Sequence, residues 1–296
     1  MLEFKRMTLD DIDHLRPYIL ESKTRSCDDT VADVLMWRDY FDKSYAIVGD
    51  SLVIKMKYFN QDDAFMMPLG GDAKAALEAI KEDAKDKGTL PSFVAVTKER
   101  LPELEAVFTA IESETTRDWW DYMYEADAFI AQRGKKYSSQ RNHVNRFIRS
   151  YPGYHFKKIE TEDLADIKAF FQTFSEDYDK DDEMVQEETV KIIEVLDNYD
   201  TYGMQGAVLK LGDMVLGFTI GEVIGDTLIV HTEKARTDIP GVYPVLSQHF
   251  AEMMQTDEIV FINREEDLGD PGLRRSKEGY NPAYMLEKYS VNVTEL

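Results

Sequence analysis

The sequence predicts an α/β (α+β) protein made of two similar domains with mixed central sheets. Each half of the chain gives nearly the same order of predicted elements, β-α-α-β-β-β-α-β-α-β. Gly-Asp pairs at positions 49–50, 212–213 and 225–226 separate β-rich runs in both halves, and such pairs favour tight hairpins. A hydrophobic fraction of 43% in 296 residues is enough for packed cores. We therefore expect domains at 1–125 and 151–296, joined by a basic linker helix at 126–150.

The elements of the first half follow from caps, apolar spacing and β-rich runs. Thr8 is a hydroxyl N-cap for a helix that continues to about Leu20. The further predicted helices are Val31–Phe41, Asp72–Lys87 and Leu101–Ile111. The predicted strands are Glu3–Lys5, Ala46–Val48, Leu52–Tyr58, Ala64–Met67 and Phe93–Val96.

The second half repeats this order. Thr161 caps a helix whose apolar face continues to about Tyr178. The other predicted helices are Glu187–Tyr199, Val242–Gln255 and Leu273–Lys277. The predicted strands are His155–Ile159, Ala207–Leu211, Val215–Val223, Thr227–Thr232, Ile259–Asn263 and Tyr284–Tyr289.

A cationic stretch stands out in an acidic chain. Between Asp127 and Glu160 there are eight basic residues and no acidic one, whereas the rest of the chain has a formal charge of −30. Apolar residues recur at helical spacing within Ser138–Tyr151, so the stretch is ordered. This pattern favours a site for an anionic ligand, and the alternative is a solvated helix face that pairs with acidic neighbours.

Composition limits the other function classes. The single cysteine, Cys27, cannot form an internal disulfide, which favours a reducing, cytoplasmic compartment. No apolar run approaches the roughly 18 residues of a membrane span, so we expect no stable membrane insertion. A net charge of −22 opposes binding to nucleic acid or to anionic lipid at long range, so such a partner must bind locally, and we expect no binding to DNA. The histidines never stand at metal-ligand spacing, and we predict no metal site.

Two motifs carry a family resemblance. The first is Arg133-Gly-Lys-Lys-Tyr137 with Arg141-Asn-His-Val-Asn-Arg-Phe147. The second is Asn263-Arg-Glu-Glu-Asp-Leu-Gly269 with Pro271-Gly-Leu-Arg-Arg-Ser-Lys-Glu-Gly-Tyr280. Both resemble signatures of the phosphatidylglycerol lysyltransferase C-terminal domain family. The second motif is also similar to a stretch of Fem-type aminoacyltransferases. The element order is that of GNAT-class (acyl-CoA N-acyltransferase-like) domains, and the resemblance implies two such domains in tandem.

The resemblance implies a transferase that moves an aminoacyl group from tRNA to an amine or hydroxyl acceptor. Lys277 aligns with a Fem lysine thought to face the reacting centre, and it is the candidate for stabilising the oxyanion; the alternative is an ordinary surface helix. His231, Glu233 and Tyr280 are the candidates for proton handling or amine recognition. The candidate residues for binding the donor are Lys135, Lys136, Tyr137, Arg141, Asn142, Asn145, Arg146, Asn263, Arg264 and Arg274.

Two simpler interpretations stay open for the strand-end residues. Glu233 has Lys234 and Arg236 as neighbouring partners, and Asn263 is placed to cap the turn after its strand. The family pattern also leaves the donor open. Aminoacyl-tRNA is favoured over a coenzyme A thioester, because Arg236-Thr-Asp-Ile-Pro-Gly-Val lacks the glycines that expose backbone N–H groups to a pyrophosphate.

Two other functions remain in competition. One is a non-catalytic module that binds an anion or a partner on the same fold. The other is a coenzyme A-dependent N-acetyltransferase with pyrophosphate contacts near Gly241 or Gly70. The binding module is distinguished from aminoacyl transfer by whether Lys277 and Glu233 lie in the same cleft as the basic helix.

Overall fold

The computed structural model describes residues 1–58 and 61–296. The chain forms two compact units, each with its own seven-stranded sheet. The first unit comprises Met1–Asp121, Glu266–Gly269 and Leu286–Leu296. The second unit comprises Tyr122–Glu265 and Asp270–Met285. No helix in the described part of the chain is both long and apolar enough to cross a membrane.

The first unit has a sheet in the order β1-β2-β3-β4-β5-β14-β6. Its only parallel neighbours among the described pairings are β4 and β5, so the sheet is mixed. The strands are β1 (Lys5–Arg6), β2 (Ser44–Val48), β3 (Ser51–Tyr58), β4 (Gln61–Phe65), β5 (Ser92–Thr97), β6 (Ala110–Glu114) and β14 (Lys288–Glu295). The helices are α1 (Ile12–Ser22), α2 (Val31–Met36), α3 (Ala73–Lys87) and α4 (Leu101–Glu105).

The second unit has a sheet in the order β13-β7-β12-β11-β10-β9-β8. Here β11 and β12 run parallel, and β8 to β11 form an antiparallel series. The strands are β7 (Asp121–Glu125), β8 (Tyr154–Lys158), β9 (Gln205–Leu211), β10 (Met214–Ile224), β11 (Thr227–Ala235), β12 (Phe261–Asn263) and β13 (Tyr284–Leu286). The helices are α5 (Ala126–Ala131), α6 (Ser138–Ser150), α7 (Leu164–Phe174), α8 (Glu183–Asp197), α9 (Tyr199–Tyr202), α10 (Val242–Met254) and α11 (Pro271–Glu278).

The predicted hairpins form as the turn chemistry requires. Val48 pairs with Ser51, Leu211 with Met214, and Ile224 with Thr227, so each Gly-Asp pair is a two-residue connection. The glycine of each pair has a positive φ, between 57° and 59°, which a residue with a Cβ rarely adopts. These local predictions are confirmed.

The two units differ from the predicted domains in several segments, because residues 122–150 belong to the second unit and Glu266–Gly269 and Leu286–Leu296 to the first. Helix α6 packs into the second unit, where Val144 and Phe147 join a core with Val242 and Leu246. It is therefore part of that unit's core rather than a free linker. The predicted strand Tyr284–Tyr289 is two strands, and β14 completes the sheet of the first unit.

The predicted helix Leu101–Ile111 also needs correction. It ends at Glu105, and the chain continues as the strand β6. Strand β6 pairs with β14, so its structure depends on a partner that comes almost at the end of the chain. The residues Val291 and Val293 of β14 lie in the same core as Phe93 and Phe108. Apolar periodicity near Leu101 did not contain that information.

Candidate active site

The candidate site lies in the second unit, where two parallel strands separate. Strand β11 pairs with β12 only from Thr227–Phe261 to Ile229–Asn263, and β11 then continues alone on that side to Ala235. His231 and Glu233 stand on this unpaired length, and Arg264 and Glu265 follow directly after β12. Because β11 and the segment after β12 are not paired through their backbones, side chains occupy the space between them. We call this space the strand opening.

A bulge directs His231 into this opening. In the β10–β11 ladder Ile220 faces Thr232 and Gly221 faces Val230, so His231 is an extra residue with no partner on β10. Gly221 is required there because a Cβ would lie 2.4 Å from the carbonyl oxygen of Ile229. A bulge re-aims the side chain of its extra residue, and this one holds the imidazole between two carboxylates.

His231 is a charged group and not a free base. Its Nδ1 lies 2.8 Å from Oε1 of Glu265, and its Nε2 lies 3.0 Å from Oε1 of Glu222. Burial acts to lower the pKa of His231, but the two hydrogen-bonded carboxylates outweigh it and raise the pKa to about 10. Both ring nitrogens are therefore donors at neutral pH, and the imidazolium ties β11 to the segment after β12.

Glu233 forms a second bridge across the opening. Its Oε1 accepts a hydrogen bond from Ser247 Oγ at 2.6 Å and one from Arg264 Nη2 at 2.9 Å. The predicted alternatives do not form, since Lys234 pairs with Glu188 and Arg236 pairs with Asp238. The second oxygen of Glu233, Oε2, has no hydrogen-bond partner among the described residues, which leaves it for a substrate proton or ammonium.

Arg264 is held by aromatic rings as well as by Glu233. Its guanidinium carbon lies 4.9 Å from the ring centre of Tyr280 and 5.7 Å from that of Phe129. The Phe129 and Tyr280 rings stack on each other at 5.1 Å. Burial opposes the charge of Arg264, and the neighbouring Glu233 carboxylate offsets this and raises the pKa of the guanidinium.

Lys277 lies on α11, which begins at an Asp270 cap with Pro271 in its first turn. The Nζ atom is 5.9 Å from the ring centre of the fully buried Tyr122. The carbonyl oxygen of Lys277 accepts a hydrogen bond from Tyr124 Oη at 2.8 Å, which fixes the C-terminal turn of the helix. Its ammonium thus lies beside β7, whose residue Tyr122 pairs through its backbone with Arg264 and Glu265.

The basic segment, residues 133–149, presents its cations to solvent. Its exposed charged residues are Arg133, Lys135, Lys136, Arg146 and Arg149. None of these five has a carboxylate within 4.0 Å in the described part of the chain, so pairing with acidic neighbours is not observed. Arg141 differs, because its Nη1 donates to the carbonyl oxygens of Gln132 and Gly134 and holds the loop before α6.

The basic segment is joined to the end of α11. Asn281 Nδ2 donates to the carbonyl oxygen of Lys136 at 3.2 Å, and Gln140 Nε2 donates to that of Gly279. Gly279 directly precedes Tyr280, whose ring supports Arg264. Hydrogen bonds and ring contacts therefore connect the basic segment, α11 and the Glu233–Arg264 pair within one unit.

The residues predicted to bind the donor substrate differ in how exposed they are. Tyr137 and Asn263 are buried, with 3% and 0% of their surface exposed, and are not open for stacking or surface contact. Asn263 Oδ1 accepts the backbone N–H of Glu265 at 2.6 Å, so the capping alternative is what forms. Arg274 is half-buried on α11, and Asn142 and Asn145 are exposed on α6.

Three supporting residues were missed by sequence reasoning. Glu222 lies in the middle of an apolar strand, Ser247 within a helix, and Phe129 in a short helix before the basic segment. The one signal available in the sequence was a glutamate within a run of β-rich apolar residues, because a buried charge requires a partner. In the structure Glu222 is indeed buried, with 8% of its surface exposed. Ser247 and Phe129 had no local signal.

The two helix starts considered for a pyrophosphate have close neighbours or a cap of their own. A Cβ on Gly241, the N-cap of α10, would lie 2.8 Å from the carbonyl oxygen of His143 and 3.0 Å from Phe147 Cβ, so α6 covers this end. In the first unit Asp72 Oδ1 accepts the N–H of Ala75 at 3.1 Å and caps α3 itself.

Comparison with known proteins agrees with this architecture. A family described as "Phosphatidylglycerol lysyltransferase, C-terminal" matches residues 21–292. A conserved protein of unknown function from Bacteroides thetaiotaomicron has a similar crystal structure, with a TM-score of 0.91 and 32% identity over 99% of this chain and 100% of that one.

Two more distant structures show the same fold. L-PGS from Bacillus licheniformis has a TM-score of 0.69 and 16% identity, over 96% of this chain and 92% of that one. FemX has a TM-score of 0.55 and 11% identity, over 99% and 97%. The prediction of two GNAT-like domains with mixed sheets is thereby confirmed. Because the family match extends over nearly the whole chain, the chain belongs to the phosphatidylglycerol lysyltransferase C-terminal family.

Proposed function

We propose that this protein transfers an aminoacyl group from aminoacyl-tRNA to an amine or hydroxyl acceptor. The observation that carries the proposal is the connection between an unpaired basic surface and a buried charged site in the same unit. Asn281 and Gln140 join the basic segment to the end of α11, and Tyr280 of that region supports Arg264 beside Glu233.

The basic segment suits a polyanionic donor. Its five exposed cations lack carboxylate partners in the described residues, so they are available to phosphates without first breaking ion pairs. The overall charge of −22 repels anionic membranes and tRNA alike at long range, so tRNA binding depends on local contact with the basic segment. The covered start of α10 supports tRNA over coenzyme A, because it leaves little room for a pyrophosphate.

The reaction then follows from the groups at the strand opening. The acceptor nitrogen or oxygen attacks the ester carbonyl carbon of the aminoacyl-tRNA, and the carbonyl electrons move onto its oxygen. In this proposal Oε2 of Glu233 takes the proton that the nucleophile loses. Collapse of the oxyanion breaks the ester bond, and the released tRNA hydroxyl oxygen receives that proton. The products are an amide or ester and free tRNA.

We expect the basic segment to dominate the affinity for tRNA. Lys135→Ala/Lys136→Ala should weaken binding by about tenfold at about 50 mM salt and reduce the log–log salt slope by about two, because each lysine neutralises one phosphate. The measurement is fluorescence anisotropy with charged tRNA at about 50 and about 200 mM salt. The matched control is Lys74→Ala/Lys180→Ala, which removes two exposed lysines elsewhere. Equal loss in both double variants, or no binding by the native protein, contradicts tRNA as donor.

We expect Lys277→Ala to abolish transfer while tRNA binding and the melting temperature stay near those of the native protein. The loss should be at least about 100-fold in kcat, the scale for removing one oxyanion donor. Single-turnover transfer from radiolabelled aminoacyl-tRNA measures it, with Ser276→Ala on the same exposed helix as control. Full turnover by Lys277→Ala would remove Lys277 from the mechanism and leave the proposed function itself standing.

A further inference from the structure

The guanidinium of Arg264 has one nitrogen that the fold leaves unused. Nη2 donates to Glu233, whereas Nη1 is buried and has no hydrogen-bond partner among the described residues. A buried donor without a hydrogen-bond partner is unfavourable, so such atoms require an explanation. Arg264 is the first residue after the β11–β12 pairing ends, so the residue that carries this donor lies next to Glu233 where the two strands separate.

The position of this donor is fixed in advance. Glu233 holds one edge of the guanidinium, and the Tyr280 and Phe129 rings lie against it at 4.9 and 5.7 Å. Glu233 is itself held by Ser247, so the pair cannot rotate freely. A donor that is already oriented stabilises developing charge without reorganisation during the reaction.

The shape of the guanidinium also suits a fixed donor. An ammonium, such as that of Lys277, has three rotatable donors, whereas the guanidinium presents its N–H groups in a fixed plane. The contacts of Arg264 with Glu233, Tyr280 and Phe129 set the orientation of that plane.

Resting on the proposed aminoacyl transfer, we propose that Arg264 Nη1 is a catalytic donor to the carbonyl oxygen of the transferred aminoacyl group. As the nucleophile adds to the carbonyl carbon, the electron pair moves to this oxygen, and Nη1–H donates to it. When the ester C–O bond breaks, the carbonyl re-forms and the hydrogen bond weakens. The proton of the nucleophile goes to Glu233 and then to the leaving tRNA hydroxyl, so Arg264 keeps its own protons throughout.

The test is single-turnover transfer by Arg264→Ala. We expect kcat to fall by about 10²- to 10³-fold with little change in KM, since the hydrogen bond strengthens only in the transition state. Binding of charged tRNA should stay at the native level. Added guanidinium ion at millimolar concentration should restore part of kcat in Arg264→Ala and leave the native protein unchanged. Arg236→Ala, which breaks a surface ion pair with Asp238, is the matched control.

Arg264→Lys covers the case in which Arg264→Ala does not fold. The lysine keeps the charge beside Glu233 but loses the planar fork, so we expect kcat to fall in this variant too. Native kcat in either variant overturns the proposal, as does a loss in Arg264→Ala that guanidinium does not restore. Absence of transfer by the native protein is a separate outcome, because it overturns the proposed function and the role of Arg264 with it.

Discussion

Lys288→Met should destabilise the first unit by about 3–5 kcal/mol, the range for removing one partner of a buried ion pair. The Lys288 ammonium lies 2.5 Å from Asp28, 2.7 Å from Asp121 and 3.4 Å from Glu266. The Lys288 side chain is 3% exposed and that of Asp121 is 0% exposed. Without the lysine, three carboxylates would remain together in a low-dielectric environment. Urea unfolding followed by circular dichroism measures the change.

Lys98→Met is the matched control for Lys288→Met. Lys98 lies in the same unit and pairs with Glu287 at 2.8 Å, but its side chain is 59% exposed. Exposed pairs contribute about 0–1 kcal/mol, so the control should unfold almost like the native protein. If both variants lose equal stability, the buried ion pairs of Lys288 do not stabilise the first unit more than an exposed pair does.

The cluster around Lys288 also affects the pKa of the single cysteine, Cys27. Cys27 Sγ lies 3.3 Å from Asp121 Oδ1 and 3.5 Å from Lys288 Nζ. Burial, followed by the charges of Asp121 and Glu266, raises the pKa of the Cys27 thiol well above its usual value. Cys27, Asp28 and Asp121 are grouped closely enough to hold a cation, and the Lys288 ammonium lies among them.

His231→Gln should remove the part of the second unit's pH-dependent stability that comes from the imidazolium of His231. The folded-state pKa of His231 is raised to about 10, above the unfolded value of about 6.5. Its stabilisation is therefore fully present below about pH 6.5 and is lost as the pH rises through about 10. We expect the native protein to exceed His231→Gln by a few kcal/mol at pH 6 and to lose most of this difference by about pH 10.

Urea unfolding at a series of pH values checks this difference. His155→Gln is the control, since His155 is exposed on β8 in the same unit and should leave the native pH profile unchanged. A difference between the native protein and His231→Gln that stays constant from pH 6 to 10 would show that the Glu222–His231–Glu265 contacts do not stabilise the imidazolium.

Much of the second unit's site was predictable as a set of residues but not as an arrangement. Motif resemblance and strand ends indicated five of these residues, and all five lie in the second unit, around the strand opening or at α11. They are His231, Glu233, Arg264, Lys277 and Tyr280. Their pairing was not predictable. Glu233 binds Ser247 and Arg264 instead of its neighbours in sequence, because the bulge and the strand separation decide which side chains face each other.

Features that depend on a few adjacent residues were predictable from the sequence alone. These are the Gly-Asp hairpins, the basic helix Ser138–Ser150 and the absence of carboxylates along the basic segment. The predicted Thr161 cap is wrong, because Glu160 is the N-cap there. Turn geometry, capping and apolar periodicity act over a few residues, so they are present in the local sequence.

Features that join distant parts of the chain depend on the tertiary structure and could not be predicted locally. Strand β14 enters the sheet of the first unit, Lys288 meets Cys27 and Asp121, and His231 lies between Glu222 and Glu265. Burial likewise turned Tyr137 and Asn263 from predicted surface contacts into interior residues. A buried charge is stable only beside its partner, and which partner arrives depends on the register and connections of the whole sheet.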